Sequence, residues 1–72
     1  MALVLLDAGK PLDIFDVVEV KGGVARVRTA FLFELGEELT VQLDGKSLEA
    51  RVRAHVGTGP DKITELELIA GS

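Results

Sequence analysis

The sequence predicts an all-β domain, a small antiparallel β-barrel of five or six strands. The first observation is the run Leu48–Val56, where apolar residues alternate with charged or polar ones at every position, the pattern of a half-buried strand. The second is a shorter alternating run, Leu39–Leu43, separated from the first by Asp44 and Gly45. An Asp-Gly pair readily takes the positive φ angles of a two-residue hairpin turn. These two runs are therefore expected to pair antiparallel.

The other strands are marked by turn residues. Asp16–Val20 and Val24–Thr29 lie on either side of a Gly-Gly pair, which predicts a second hairpin. Leu3–Leu6 indicates a weak first strand, and Ile63–Ile69 indicates a last strand after a loop that contains Pro60. No amphipathic stretch is long enough for a helix of more than about two turns.

The segment Ala30–Gly36 is apolar at nearly every position and ends at a glycine. It is compatible with a strand extension, a helical turn or a plug that covers the core. Periodicity does not decide among these structures in so short a run.

The chain has 72 residues, enough for one domain, which we assign to residues 1–69 with 70–72 as a loose tail. A core of this size supplies only about 3–5 kcal/mol. The chain has no cysteine and one histidine, so neither a disulfide nor a structural zinc site is available. Stability therefore depends on a dense aliphatic core, on self-association or on docking to a partner. Leu39–Leu43 or the terminal strand is the expected edge for self-association.

The charge balance argues against nucleic-acid binding. Eight basic and twelve acidic residues give a net charge of −4, which repels phosphate backbones and anionic membranes. Three phenylalanines are the only aromatic residues, too few for a base-stacking platform. The apolar start Met1–Leu6 is too short for a membrane span or a secretory signal. A cytoplasmic protein without membrane insertion is expected.

The sequence contains no constellation typical of an enzyme, so we predict no catalytic residues. His55 is the only histidine, and Ser47 and Ser72 are the only serines. Catalysis of hydrolysis needs a nucleophile with a base beside it, and the alternation predicts that His55 faces solvent on the same side of its strand as Arg51 and Arg53. The acidic residues match no calcium loop, so no metal or other cofactor is expected.

Two Arg-x-Arg pairs, Arg26 with Arg28 and Arg51 with Arg53, are the most notable charged feature. Side chains two residues apart on a strand share a face, so each pair presents two guanidinium groups together. Four arginines on one face of the sheet would suit a phosphate or carboxylate ligand. The alternative is pairing with carboxylates on neighbouring strands, for which three candidates exist: Glu49, Glu65 and Glu67.

The order of these features resembles the PilZ domain, a six-stranded β-barrel family that binds cyclic di-GMP. The resemblance runs from about Asp16 to Ile69. It depends on six segments: 17–23, which ends in glycines; Ala25-Arg-Val-Arg-Thr29; the apolar 33–36, which ends in glycine; and the strands 38–43, 48–55 and 63–69.

The chain departs from the PilZ pattern at the ligand-binding motifs. The family has an Arg-x-x-x-Arg near its N-terminus, but no arginine precedes Arg26 here. In place of the family's Asp/Asn-x-Ser-x-x-Gly, this chain has Glu19-Val-Lys-Gly-Gly23. The resemblance therefore implies a degenerate member that acts through protein contacts.

Three hypotheses follow for function. The first is a non-enzymatic adaptor in bacterial signalling, motility or secretion that binds a protein partner through Phe31, Leu32 and Phe33. The second is a cyclic di-GMP receptor that uses the four arginines. The third is a structural or engineered barrel module with no ligand.

Overall fold

The computed structural model describes residues 3–69 and contains seven β-strands and one short 3-10 turn, Gly59–Asp61. The all-β prediction is confirmed, but the strand count of five or six is wrong by at least one. The additional strand is a three-residue segment with a proline at its centre, too short to be recognised by alternation. The predicted loose tail, 70–72, lies outside the described residues. The strands are β1 Leu3–Asp7, β2 Lys10–Leu12, β3 Asp16–Lys21, β4 Val24–Arg28, β5 Glu38–Leu43, β6 Lys46–Val56 and β7 Ile63–Ile69.

All seven strands belong to one antiparallel sheet in the order β2-β1-β5-β6-β7-β4-β3. The sheet curves into a half-barrel, and its two terminal strands, β2 and β3, are not paired with each other. The predicted closed barrel is therefore corrected to an open one. Pro11 in β2 has no N–H group to donate to a further ladder. Of the two edges expected for self-association, β7 is wrong because it has a strand on both sides, and β5 is covered by β1 only along Val41–Leu43.

The hairpin of β5 and β6 forms as the sequence predicts. Its register places Leu43 opposite Lys46, across Asp44 and Gly45. Both turn residues have positive φ angles, 49° and 86°, as a type I′ turn requires. The second predicted hairpin, β3 with β4, is confirmed in the same way.

The core occupies the concave face of the sheet. Leu66 and Val52 lie opposite each other at the centre of the sheet, and Thr64 is a fully buried polar residue on the same face. Phe15, in the connection between β2 and β3, is also buried. Within the part of the chain whose burial is described, nine hydrophobic side chains are buried: Leu3, Phe15, Ala25, Val27, Leu39, Val41, Ala50, Val52 and Leu66.

A β-bulge in β6 reverses the direction of the side chains that follow it. Val52 lies opposite Leu66, but Ala54 rather than Arg53 lies opposite Glu65. The extra residue shifts the alternation by one position, so His55 lies opposite buried Thr64 and is half-buried. The prediction that His55 faces solvent with Arg51 and Arg53 is therefore wrong.

The apolar segment that begins at Ala30 forms neither a strand nor a helix. Its end is attached to β6 by two backbone hydrogen bonds in the arrangement typical of a β-bulge, in which the Gly36 N–H donates to the Val52 carbonyl at 2.8 Å. The Val52 N–H in turn donates to the Glu37 carbonyl at 2.9 Å. Gly36 has a φ angle of 85°, the conformation that glycine takes at the first position of this type of bulge.

We expect Gly36→Ala to destabilise the protein by about 1–2 kcal/mol through its backbone conformation alone. A Cβ at this position would meet no atom within 4 Å, so no steric clash contributes. The melting temperature should fall by about 4–8 °C per kcal/mol, measured by circular dichroism. Gly36→Asn is the matched control, since asparagine tolerates positive φ better, and its loss should be smaller. Equal melting temperatures for Gly36→Ala and the unmodified chain would contradict the bulge.

Candidate functional site

Three large apolar side chains of the connection between β4 and β5 are exposed to solvent. Phe31 is 52% exposed, Leu32 is 78% exposed and Leu35 is 66% exposed. We call these three residues the loop patch. Phe31 and Leu32 were predicted as partner-binding residues, whereas Leu35 was not singled out, although it belongs to the same apolar run.

Phe33, the third residue predicted to bind a partner, is half-buried and packs against the core. Its ring lies 6.1 Å from the Phe15 ring, between centroids, and 6.4 Å from the Phe31 ring, on which it stacks at an interplanar angle of 28°. Such separations are typical of favourable aromatic pairs. Phe33 therefore connects the buried Phe15 to the exposed Phe31 and holds the loop patch against the sheet.

His55 fixes the same loop through a hydrogen bond. Its Nε2 lies 2.7 Å from the carbonyl oxygen of Phe33, and its Nδ1 lies 3.1 Å from Oγ1 of Thr64. A carbonyl only accepts hydrogen bonds, so Nε2 carries a proton, and in the neutral ring the Thr64 hydroxyl donates to Nδ1. No sequence signal indicated this role, because the bulge that turns His55 inward has no local signature.

Two more contacts shape the loop. The Glu34 N–H donates to Oε1 of Glu37 at 3.0 Å, and the Phe31 N–H donates to Oγ1 of Thr29 at 3.2 Å. With the His55 contact and the Gly36 bulge, these bonds restrain the backbone on both sides of the loop patch. The patch is thus presented on a loop that is anchored at several points.

A groove of about 480 Å³ adjoins the loop patch and includes Phe31 in its wall, a volume within the range of about 300–1,000 Å³ typical of ligand pockets. Much of its surface is apolar, and seven of its lining residues are apolar: Leu5, Leu6, Leu12, Ile14, Phe31, Phe33 and Leu39. Three carboxylates also line it, those of Asp7, Glu37 and Glu38, and none of the lining residues is basic. The sequence did not predict this groove, because it forms where strands distant in the chain separate.

The four arginines project from the outer face of the sheet, since the residues between and beside them on β4 and β6 are buried. Strand β7 separates the two pairs and places carboxylates between them. Arg26 lies 3.5 Å from Glu19 and 3.5 Å from Glu65, and Arg53 lies 3.9 Å from Glu65. Carboxylates therefore already engage two of the four guanidinium groups.

The contacts of these arginines are electrostatic rather than well-formed hydrogen bonds. The Nε atom of Arg26 is buried and makes no hydrogen bond of good geometry, although the Glu65 carboxylate is close. Arg28 and Arg51 form no ion pair within the described part of the chain. Glu49, another proposed partner, instead accepts a hydrogen bond from the Thr40 hydroxyl at 3.3 Å. The outer face is thus a mixed network of both charges.

The described residues contain no cluster of three or more side chains arranged to hold a metal ion. Residues 3–69 also contain no helix with the length and hydropathy needed to cross a membrane. Comparison with protein-family models, with curated proteins and with solved structures finds no match to this chain.

Proposed function

We propose that the chain is a small non-enzymatic binding domain that acts through protein contacts made by the loop patch and the adjoining groove. The observation that carries the proposal is the exposure of Phe31, Leu32 and Leu35 on one anchored loop. Contiguous exposed apolar surface on a small protein is typical of an interaction site. Aromatic residues are enriched at such sites.

The anchoring of the loop supports the same proposal. Ordering a mobile loop on binding reduces affinity, because immobilised side chains and backbone lose conformational entropy. Here the His55 contact with the Phe33 carbonyl and the Gly36 contact with Val52 hold the loop before any partner arrives. A partner would therefore gain apolar burial at a small ordering cost.

The PilZ resemblance suggests where such a domain works. We propose an adaptor of the degenerate PilZ-like kind, cytoplasmic, in a bacterial signalling, motility or secretion assembly. Support comes from the order of segments in the sequence and from the antiparallel all-β architecture; the open half-barrel is a departure from the family's closed barrel. The contacts of Arg26 and Arg53 with Glu65 favour protein binding over cyclic di-GMP binding, since a dinucleotide would have to displace Glu65.

Photo-crosslinking tests this proposal. A photoreactive residue replaces Leu35 in three chains: the otherwise unmodified chain, the double variant Phe31→Ser/Leu32→Ser, and a control with Val18→Ser. Val18 is 48% exposed on the edge strand β3, so the control removes an exposed apolar side chain outside the loop patch. Each chain is incubated with a bacterial lysate, and crosslinked proteins are identified by mass spectrometry.

We expect one protein to crosslink to the unmodified chain and to the Val18→Ser control, and at least about tenfold less of it to the double variant. Loss of two interface side chains at about 1 kcal/mol or more each justifies that factor. Recovery of no protein above background, or equal recovery with the double variant, would refute protein binding by the loop patch. Circular dichroism spectra of all three chains control for folding.

A further inference from the structure

The groove beside the loop patch lies where two paired strands separate. Strand β1 pairs with β5 only through Leu3–Leu5 and Val41–Leu43. Beyond that point, Leu6 and Asp7 pair only with β2. Glu38–Thr40 pair only with β6. Among residues 3–69, the groove side of this part of β5 therefore has no strand partner, and its peptide groups form an unpaired edge inside the sheet.

The groove is also acidic at its wall. Asp7, Glu37 and Glu38 line it without a basic residue among the lining, and the whole chain has a net charge of −4. Asp7 and Glu38 are exposed and form no ion pair within 4.0 Å among the described residues, although Arg51 lies opposite Glu38 on β6. A ligand with positive charges would therefore meet unpaired carboxylates next to an apolar surface.

We infer that the groove binds an extended peptide segment in which apolar residues alternate with lysine or arginine, and that this segment adds to β5 along Glu38–Thr40. The inference rests on the proposed function, because it names the chemistry of the partner that binds beside the loop patch. It goes beyond that proposal by specifying the conformation and the charge of the bound segment.

An extended segment fits the groove better than a helix. Main-chain groups of an added strand pair with a free strand edge, and alternate side chains enter pockets along it. Because successive side chains of a strand point to opposite sides, one set would contact Leu5, Leu12 and Leu39, and the other would lie on the side of Glu38. A helix pairs its own backbone internally and would leave the edge of β5 unpaired.

A second copy of the chain is a poorer occupant. Its free edge strand β3 has the sequence Asp-Val-Val-Glu-Val-Lys, which would bring two carboxylates and one ammonium group to an acidic groove. The net charge of −4 on each copy adds repulsion. A different protein with a basic, apolar segment is therefore the occupant that the charges favour.

Selection from a phage-displayed library of random eight-residue segments tests the inference on the whole chain. The same library is panned against Leu12→Asp, which places a charge in the groove, to remove segments that bind elsewhere. Enriched peptides are synthesised with a fluorophore, and binding is measured by fluorescence anisotropy. Each peptide is also made with N-methyl groups on alternate residues, which remove backbone donors.

The carboxylates are tested with Asp7→Asn/Glu38→Gln, and Asp61→Asn/Glu67→Gln is the matched control outside the groove lining. We expect enriched segments to carry lysine or arginine at alternate positions. Their affinity should fall about three- to tenfold in Asp7→Asn/Glu38→Gln, should stay unchanged in the control, and should fall at least about tenfold on N-methylation. It should also weaken as salt increases.

Three results would overturn the inference: no enrichment over Leu12→Asp, enrichment of acidic or uncharged segments, or equal affinity with and without N-methyl groups. The two proposals fail separately, because Phe31 lines the groove but Leu32 does not, so crosslinking of a Leu32→Ser variant tests the loop patch alone. If crosslinking in a lysate depends on Phe31 and Leu32 while the library selects no basic segment, the loop patch binds a partner and the groove inference alone is wrong. If no protein crosslinks above background and the library yields no enriched segment, both proposals are wrong.

Discussion

Leu66→Ala should unfold a large fraction of the protein at room temperature. Leu66 is fully buried at the centre of the sheet, with Val52 opposite on one side and Ala25 opposite on the other. Replacing a core leucine with alanine costs about 2–5 kcal/mol, and a chain of this size has only about 3–5 kcal/mol to lose. The melting temperature should fall by at least about 10 °C, measured by circular dichroism with denaturant unfolding as a second measurement.

Leu32→Ala is the matched control for this experiment, because the same change is made at a side chain that is 78% exposed. A substitution at such a position is expected to change stability by no more than about 0.5 kcal/mol. If the two variants melted at the same temperature, Leu66 would not be buried between β6 and β4, and the strand order would be wrong.

The second large effect is expected for His55→Ala, which should destabilise the protein by about 1–3 kcal/mol and release the loop patch. The substitution removes the ring that bonds the Phe33 carbonyl and leaves the fully buried Thr64 hydroxyl without that partner. Leaving a buried polar group without a hydrogen-bond partner costs about 1–3 kcal/mol of stability. Amide hydrogen exchange should accelerate at Glu34 and Gly36, whose N–H groups are bonded within the anchored loop.

Two further variants separate the contacts of His55. His55→Gln keeps a side-chain N–H donor for the Phe33 carbonyl, so it should lose less stability than His55→Ala. Thr64→Val removes only the hydroxyl. It should lower the stability of His55→Ala by less than it lowers the stability of the unmodified chain, because the two side chains bond each other. Unchanged exchange at Glu34 and Gly36 in His55→Ala would show that the loop does not depend on the histidine.

The alternation of apolar residues and the turn residues were sufficient to predict the strands and hairpins that form between neighbouring segments of the chain. The alternation of Leu48–Val52 places Ala50 and Val52 in the core, and the Asp44-Gly45 turn determines the register of β5 with β6. The loop patch was partly predictable for a different reason. The apolar run Ala30–Gly36 left its own structure undecided, but Phe31 and Leu32, the residues proposed from it for partner binding, are exposed.

The features of the fold and of the candidate site that could not be predicted depend on contacts between residues that are distant in the chain. The bulge at Arg53 moves His55 from the outer face to the inner one, yet the sequence alternates through it without interruption. Phe33 was grouped with Phe31 because they are neighbours in an apolar run, whereas its position is determined by Phe15, far away in the chain. The groove needs β1 and β5 to separate, and no single segment encodes that separation. Strand β2 could not be predicted because a three-residue segment is too short to show alternation.

The order of the strands in the sheet also determines the order in which they can pair during folding. Strands β5 and β6 are joined by a two-residue turn and can pair within microseconds, and so can β3 and β4. Strand β7 lies between β6 and β4, so it must pair with β4, which is distant in the chain, to join the two hairpins. Closing the loop between β4 and β7 costs chain entropy before any contact between these strands forms. Until that last strand docks, Leu66 is missing from both hairpins and their apolar faces remain in water. Synthesis from the N-terminus therefore delivers β7 after both hairpins, and the two hairpins stay unjoined until β7 emerges.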